Sequence, residues 1–153
     1  MDHIVRSDLE ALLKQLGRDE FRSKRITVTG GAGFIGSWLC DIFALADSNV
    51  RCLDNLCTGF IANIEHLLKA SKFTFQEFDV TRLNGNDEPC DMILHFASRA
   101  SPEDYQQHPI ETLTANSLGT QNVLELARKN DATVVYASSS EVYGDAELVP
   151  TPE

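Results

Sequence analysis

Short apolar runs and longer amphipathic stretches follow one another along most of the chain. The first run is β-branched and the third alternates apolar with polar residues, and we predict five strands, at residues 26–29, 50–53, 73–78, 92–96 and 133–137. Between them apolar residues recur with helical spacing, and we predict helices at residues 34–46, 61–70 and 110–129. Strands that alternate with helices indicate a parallel sheet covered on both faces. The pattern predicts an α/β fold of the doubly wound, Rossmann type, truncated after about the fifth strand.

The first 25 residues precede this alternation. Leucines at positions 9, 12, 13 and 16 have helical spacing, Ser7 is a suitable N-cap and Gly17 a suitable C-cap. We therefore predict an N-terminal helical extension over 1–25, packed on the domain or on a partner, and one incomplete Rossmann domain over 26–153.

Three glycines stand between the first predicted strand and the first helix after it. Gly30, Gly33 and Gly36 have the spacing GxxGxxG. The first glycine permits a tight turn, the second a close approach of backbone to a pyrophosphate, and the third close packing of helix on strand. The free N–H groups and partial positive charge of the helix N-terminus favour an anion there. The segment predicts a dinucleotide-binding turn.

Carboxylates follow the second and third predicted strands. Asp54 comes 18 residues after Gly36, where it can accept hydrogen bonds from ribose hydroxyls and would repel a 2′-phosphate. Asn55 stands where an arginine would accommodate that phosphate, so the sequence favours NAD over NADP. Asp79, with the N–H of Val80 beside it, could meet the adenine amino group.

Composition narrows the classes of partner. The net charge of −10 argues against nucleic acid and anionic membranes. No apolar run could span a bilayer and the N-terminus does not resemble a signal peptide, which predicts a cytoplasmic protein. The four cysteines form no CxxC pair and lie near no histidine cluster, so we expect no metal site.

Six motifs occur in order: GxxGxxG, DNLCTG (54–59), FDV (78–80), HFAS (95–98), NSLGTQNVLELA (116–127) and SSSEVYGD (138–145). Together they resemble the extended short-chain dehydrogenases, the NAD-dependent nucleotide-sugar epimerases, dehydratases and decarboxylases. The likeness is greatest to UDP-glucuronate decarboxylases. The segment SRASPEDYQQHP (98–109) resembles the ASPxxY loop of those enzymes. The resemblance implies a UDP-sugar substrate, a homodimeric parent enzyme and these cofactor contacts: Gly30, Gly33, Phe34, Ile35, Gly36, Asp54, Asn55, Thr58, Gly59, Asp79, Val80, Phe96, Ala97, Ser98 and Asn116.

The family mechanism implies roles for residues after the fifth strand. The sugar is oxidised at C4, which labilises the C5 substituents, and is then reduced again. By resemblance Ser139 is the catalytic Ser/Thr, and Ser140 and Glu141 complete the catalytic group. Dehydratases have Asp–Glu at these two positions and epimerases usually lack the glutamate, so serine followed by glutamate fits a decarboxylase best; an epimerase or a dehydratase is the alternative.

The loop after the fourth strand carries the implied substrate contacts, Ser101 and Tyr105. Two departures weaken the match to decarboxylases: Arg99 replaces the family's proline, and Thr114 replaces its lysine. Arg99 could reflect a different acidic group on the sugar. We interpret His95 as a packing residue at the end of a strand.

The family's catalytic Tyr-x-x-x-Lys pair does not occur. Tyr105, Tyr136 and Tyr143 are followed at that spacing by proline, serine and glutamate. We therefore expect a truncated enzyme that binds NAD weakly at best and does not turn over. The alternative is a non-catalytic NAD-binding module.

Overall fold

The computed structural model describes residues 3–84, 88–145 and 148. Five parallel strands form one sheet in the order β3-β2-β1-β4-β5. The strands are β1 Arg25–Thr29, β2 Asn49–Asp54, β3 Phe73–Glu77, β4 Met92–His95 and β5 Thr133–Tyr136. The α-helices are α1 His3–Leu16, α2 Phe34–Leu45, α3 Pro102–Gln107, α4 Pro109–Thr114 and α5 Thr120–Asn130. The predicted α/β fold is confirmed, and the strand order is that of one Rossmann half with its neighbouring strands.

Alternate residues of the strands supply two separate cores. Ile26, Val28, Val50 and Cys52 face α1 and α2 and belong to the larger apolar cluster. Leu53 and Ile93 point to the other face and pack with residues of α5 and of the loop after β3. Burial on both faces is typical of a parallel sheet that helices cover on its two sides.

Helix α1 packs on the same core as the sheet. Leu9 and Leu13 are buried in the larger cluster, and Val5 packs against it. Gly17 ends the helix with a φ of 80°, as a C-cap requires. The predicted start at Ser7 is wrong: the helix begins at His3, because Val5 extends the buried face one turn upstream.

Two predicted helices differ from the structure. The segment 61–70 contains no α-helix but two 3₁₀ turns, Ile61–Asn63 and Glu65–Leu67. The predicted helix 110–129 is present, but it starts at Pro109 and contains a π-helical turn, Ala115–Gly119, between α4 and α5. Helix α3 was not predicted.

The cysteines form no disulfide. Cys40, Cys52 and Cys90 are buried and Cys57 is exposed. The described residues contain no His, Cys, Asp or Glu cluster that could hold a metal ion. Across the same parts of the chain, we find no helix long and apolar enough to cross a membrane.

Candidate functional site: a cavity at the switch point of the sheet

A cavity of about 330 Å³ opens at the carboxyl ends of the central strands. Thr29 ends β1 and Gly30 follows it on one side, and Phe96, Ala97 and Ser98 follow β4 on the other. The chain order reverses between β1 and β4. Strands β2 and β3 lie on one side of β1, whereas β4 and β5 lie on its other side. Open α/β sheets bind their ligands at this kind of switch point.

The glycine turn lines the cavity, and two of its three glycines are held by close backbone contacts. Gly30 has a φ of 71°, and a Cβ there would lie 2.5 Å from the Phe96 carbonyl oxygen. A Cβ on Gly36 would lie 2.1 Å from the Gly30 carbonyl oxygen. Gly33 differs, because a Cβ there would meet only the Gly30 oxygen, at 3.2 Å, and would otherwise point into open space. Gly33 thus leaves room on the cavity wall for a ligand.

The N-terminus of α2 begins at this turn. Gly33 is its N-cap and has no side chain to satisfy the first N–H groups, and the Ser37 N–H is the first that bonds back, to the Gly33 carbonyl at 3.0 Å. The first-turn N–H groups, those of Phe34, Ile35 and Gly36, precede that bond. The predicted cofactor contacts at Phe34 and Ile35 are backbone positions, since both side chains are exposed, at 82% and 58%.

Asp54 ties the second strand to the glycine turn. Its Oδ2 accepts the Ala32 N–H at 2.9 Å and its Oδ1 accepts the Leu56 N–H at 2.8 Å. Gly59 is required beside it, because a Cβ there would lie 2.9 Å from the carboxylate. Each oxygen keeps a further lone pair, so the carboxylate can hold the turn and still accept a ribose hydroxyl.

Asp79 forms the next polar wall of the cavity. Its Oδ1 accepts the Thr81 N–H and hydroxyl at 2.9 and 2.7 Å, and its Oδ2 accepts the Asn55 amide at 3.2 Å. Desolvation raises the pKa of Asp79, but these hydrogen bonds outweigh it and hold the pKa below its ordinary value. The carboxylate is therefore fixed, ionised and on the cavity wall, together with Val80.

His95 lies behind the cavity floor and is 3% exposed. Its Nδ1 is 2.7 Å from the Thr29 hydroxyl and its Nε2 is 3.2 Å from the Thr120 hydroxyl. Because the Thr120 hydroxyl donates to the Asn116 carbonyl, Nε2 carries the ring proton and Nδ1 accepts. Burial lowers the pKa of His95 to about 4. His95 is a neutral packing residue, as its strand-end position predicts.

Ten of the fifteen predicted cofactor positions line the cavity: Gly30, Gly33, Asp54, Asn55, Thr58, Asp79, Val80, Phe96, Ala97 and Ser98. The other five lie beside it. Gly36 and Gly59 shape the backbone, Phe34 and Ile35 offer N–H groups, and Asn116 lies behind Ser98, donating to its hydroxyl at 2.9 Å.

The predicted catalytic and substrate residues lie outside the cavity wall. Ser139, Ser140 and Glu141 follow β5 in an exposed 3₁₀ turn, at the same edge of the sheet. Hydrogen bonds, the Ser139 bond first among them, hold the pKa of Glu141 below its ordinary value. Tyr105 lies in α3 and Ser101 is the N-cap of that helix; the Tyr105 N–H donates to the Ser101 carbonyl at 2.9 Å.

The sequence did not predict that several other residues, among them Arg99, line the wall of this cavity. Its Nη1 donates to both carboxylate oxygens of Asp104 at 2.7 Å. Arg99 is the one Lys or Arg among the described residues on this wall, beside three carboxylates, Asp54, Asp79 and Glu111. The signal was present in the sequence, since Arg99 departs from the family pattern, but its partner could be found only from the structure.

The fold and the switch-point cavity define a dinucleotide-binding class of protein. The sequence profile of the NAD dependent epimerase/dehydratase family matches residues 26–153. The chain belongs to this family, and NAD is the cofactor of the family, as the sequence predicted.

Individual relatives agree with this assignment. The chain is 43% identical over 134 residues to UDP-glucuronic acid decarboxylase 1 of Xenopus tropicalis, covering 85% of this chain and 30% of that protein. The chain therefore spans about 30% of the length of this curated relative.

Solved structures show the same fold. A UDP-galactose 4-epimerase is 39% identical with a TM-score of 0.73, over 84% of this chain and 43% of that one. A UDP-glucose 4-epimerase from Stenotrophomonas maltophila, solved with NAD and formylated UDP-arabinopyranose, is 26% identical with a TM-score of 0.69, over 83% and 40% of the two chains.

Proposed function

We propose that these 153 residues form the NAD-binding part of a nucleotide-sugar enzyme that acts by transient oxidation of the sugar at C4. The observation that carries the proposal is the cavity at the switch point, where the open wall at Gly33, the α2 N-terminus and the Asp54 carboxylate meet. The residues fit NAD: the turn has room for a pyrophosphate, and the carboxylate has free lone pairs for a ribose.

Each part of the site has a task in this proposal. The first-turn N–H groups of α2 and the open wall at Gly33 bind the pyrophosphate, and Asp54 orients the adenosine ribose. Asp79 accepts the adenine amino group. NAD would supply the hydride acceptor for C4, and neutral His95 fixes the floor through Thr29 and Thr120 without itself moving a proton.

For the reaction we propose decarboxylation of UDP-glucuronate. Serine followed by glutamate after Ser139 supports it, and so does the 43% identity to a UDP-glucuronic acid decarboxylase. In this scheme the Ser139 hydroxyl contacts the C4 oxygen of the sugar. The Glu141 carboxylate lies next to C5, the neighbouring ring carbon, which loses its carboxylate as carbon dioxide. The substrate loop supplies Ser101 and Tyr105. Without a Tyr-x-x-x-Lys pair, the 153 residues are proposed not to turn over alone.

Epimerisation of a UDP-sugar is the second candidate, favoured by the 39% identity to a UDP-galactose 4-epimerase. A dehydratase of the dTDP-glucose 4,6 type and a non-catalytic NAD-binding module remain the further alternatives. The test is product analysis of a protein that joins these residues to a Tyr-x-x-x-Lys segment, incubated with UDP-glucuronate. UDP-xylose and carbon dioxide are expected; C4-epimerised sugar without loss of carbon dioxide would favour the epimerase.

We also propose that the parent enzyme is a homodimer in the cytoplasm. Ile110, Leu113 and Leu124 are exposed at 70%, 66% and 53% along the helices from Pro109 to Asn130, which supports an apolar contact there. Three buried free thiols fit a reducing compartment. Sedimentation of a Leu113→Glu and Leu124→Glu double variant tests the dimer: a shift to monomer is expected, and an unchanged dimer would rule out this face.

A further inference from the structure

A second cavity, of about 310 Å³, lies at the opposite edge of the sheet from the cofactor cavity. Its wall includes Arg25 and Asn49, where β1 and β2 begin, and Lys72, just before β3. Glu88 lies on the same wall, ahead of β4. None of the residues that we assign to the cofactor or the substrate lines it.

Arg51 is the residue of this wall that the fold leaves unexplained. It stands within β2, in register with Thr27 of β1 and Thr74 of β3, so its side chain leaves the same face of the sheet as theirs. Its exposed fraction is 8%. Its Nε and Nη2 are closed to solvent and have no hydrogen-bond partner within residues 3–84 and 88–145.

A buried guanidinium in this position requires a counter-ion or hydrogen-bond acceptors. Arginine stays protonated in proteins, so Arg51 cannot shed its charge as a buried lysine or histidine would. A buried charge without a counter-ion is unfavourable, and β-sheet backbone offers it no acceptors because those carbonyls pair with neighbouring strands. No ion pair joins Arg51 to a carboxylate in the described parts of the chain.

The other charges on the wall leave a surplus of positive charge. The Arg25 guanidinium bonds to Asp91, and the Lys72 ammonium bonds to Asp47 at 2.7 Å. These two cations are therefore neutralised by their own partners. Glu88 is the remaining carboxylate among the described residues of the wall, and the structure forms no ion pair between it and Arg51. Within residues 3–84 and 88–145, Arg51 is thus the charge of this cavity that no carboxylate compensates, in a protein whose net charge is −10.

We propose that this cavity binds an oxyanion of the phosphate class, as inorganic phosphate or a phosphate monoester, whose negative charge balances that of the Arg51 guanidinium. Because Arg51 is buried, water screens this attraction only weakly. The hydroxyl residues of the wall, Thr74 and Ser71, add neutral donors. Nothing in this inference depends on the proposed enzyme function, because the two cavities lie at opposite edges of the sheet.

The test is a phosphate titration of the 153-residue chain that is monitored by NMR. The ionic strength is held constant with chloride as the balancing anion. The Arg51 Nε–H resonance reports on this cavity, and the amides of Gly33 and Gly36 report on the glycine turn. We expect a saturable shift of the Arg51 signal. A shift of the glycine amides alone would place phosphate at the turn and overturn the inference.

Three variants complete the experiment. Arg51→Met should lose about tenfold or more in phosphate affinity, and Arg51→Lys should lose less because it keeps the charge. Glu88→Gln should tighten binding several-fold, since it removes the competing carboxylate. Arg51→Met is expected to fold, because an unpaired buried charge is replaced by an apolar chain of similar length; its thermal midpoint without phosphate should equal or exceed that of the parent.

The outcome that contradicts the inference is also defined. If Glu88 is the true partner of Arg51, Glu88→Gln will change the Arg51 Nε–H resonance and lower the thermal midpoint, and phosphate will shift nothing. Phosphate binding of equal strength in Arg51→Met and in the parent chain would likewise exclude Arg51 as the balancing charge.

Discussion

The substitution of Gly36 by alanine separates a glycine that the backbone requires from one that the ligand requires. A Cβ on Gly36 would lie 2.1 Å from the Gly30 carbonyl oxygen and 2.8 Å from the Gly30 carbonyl carbon and the Gly31 Cα. All three are backbone atoms, so helix α2 and the turn must move apart by about 1 Å to restore van der Waals distance.

The cost follows from these contacts. Overpacking of this kind costs about 3 kcal/mol, and the better helix propensity of alanine returns up to about 1 kcal/mol. The net loss is about 2 kcal/mol, which for a domain of this size lowers the thermal midpoint by roughly 4 to 8 °C. Thermal unfolding followed by circular dichroism measures it.

Gly33→Ala is the matched control. Its Cβ would meet one oxygen at 3.2 Å, and alanine is a poorer N-cap than glycine, so the loss of stability should be about 1 kcal/mol or less. The new methyl projects into the cavity, however, and should weaken NAD binding about tenfold or more. If Gly36→Ala is as stable as the parent, or if Gly33→Ala loses more stability than Gly36→Ala, the assignment of the two glycines is wrong.

Three further predictions concern stability. Arg25 holds the pKa of Asp91 at about 2, so the contribution of that carboxylate is present above about pH 4 and is lost as the pH falls towards 2. Urea unfolding at both pH values should show a loss of stability, and the loss should be smaller in Asp91→Asn. Burial lowers the pKa of His95 to about 4, so stability should fall by about 3 kcal/mol as the pH drops from 6.5 to 4, and a flat profile would contradict the buried neutral ring. Leu13→Ala should cost about 3 kcal/mol because the side chain is 2% exposed, whereas Leu12→Ala, at 45%, should cost far less; equal losses would mean that α1 does not dock as described.

The parts of the fold that the sequence predicted are those with a strong local signal. Each strand contains a short run of apolar or alternating apolar and polar residues, and the glycine turn is defined by its spacing between a strand and a helix. The cavity wall followed because residues after β1, β2, β3 and β4 meet at one edge of a parallel sheet. This placed ten of the fifteen cofactor positions on the wall.

The features that the sequence did not predict have separate physical causes. Segment 61–70 has Ile64 and Leu67 buried, but too few apolar positions to fix a continuous helix, so it forms 3₁₀ turns. Helix α3 has start signals, with Ser101 at the N-cap and Pro102 at the first position, but no apolar stripe. The unpaired guanidinium of Arg51 depends on what the tertiary structure fails to place near it, which no local pattern reveals.

Calorimetry with NAD and NADP tests the central claim most directly. The parent chain should bind NAD more tightly than NADP, because the Asp54 carboxylate accepts a ribose hydroxyl and repels a 2′-phosphate. Asp54→Asn keeps the shape of the side chain beside Ala32 and Leu56 but removes the charge, and it should erase the preference. Equal affinity of the parent chain for the two cofactors, or no binding of either, would contradict the account.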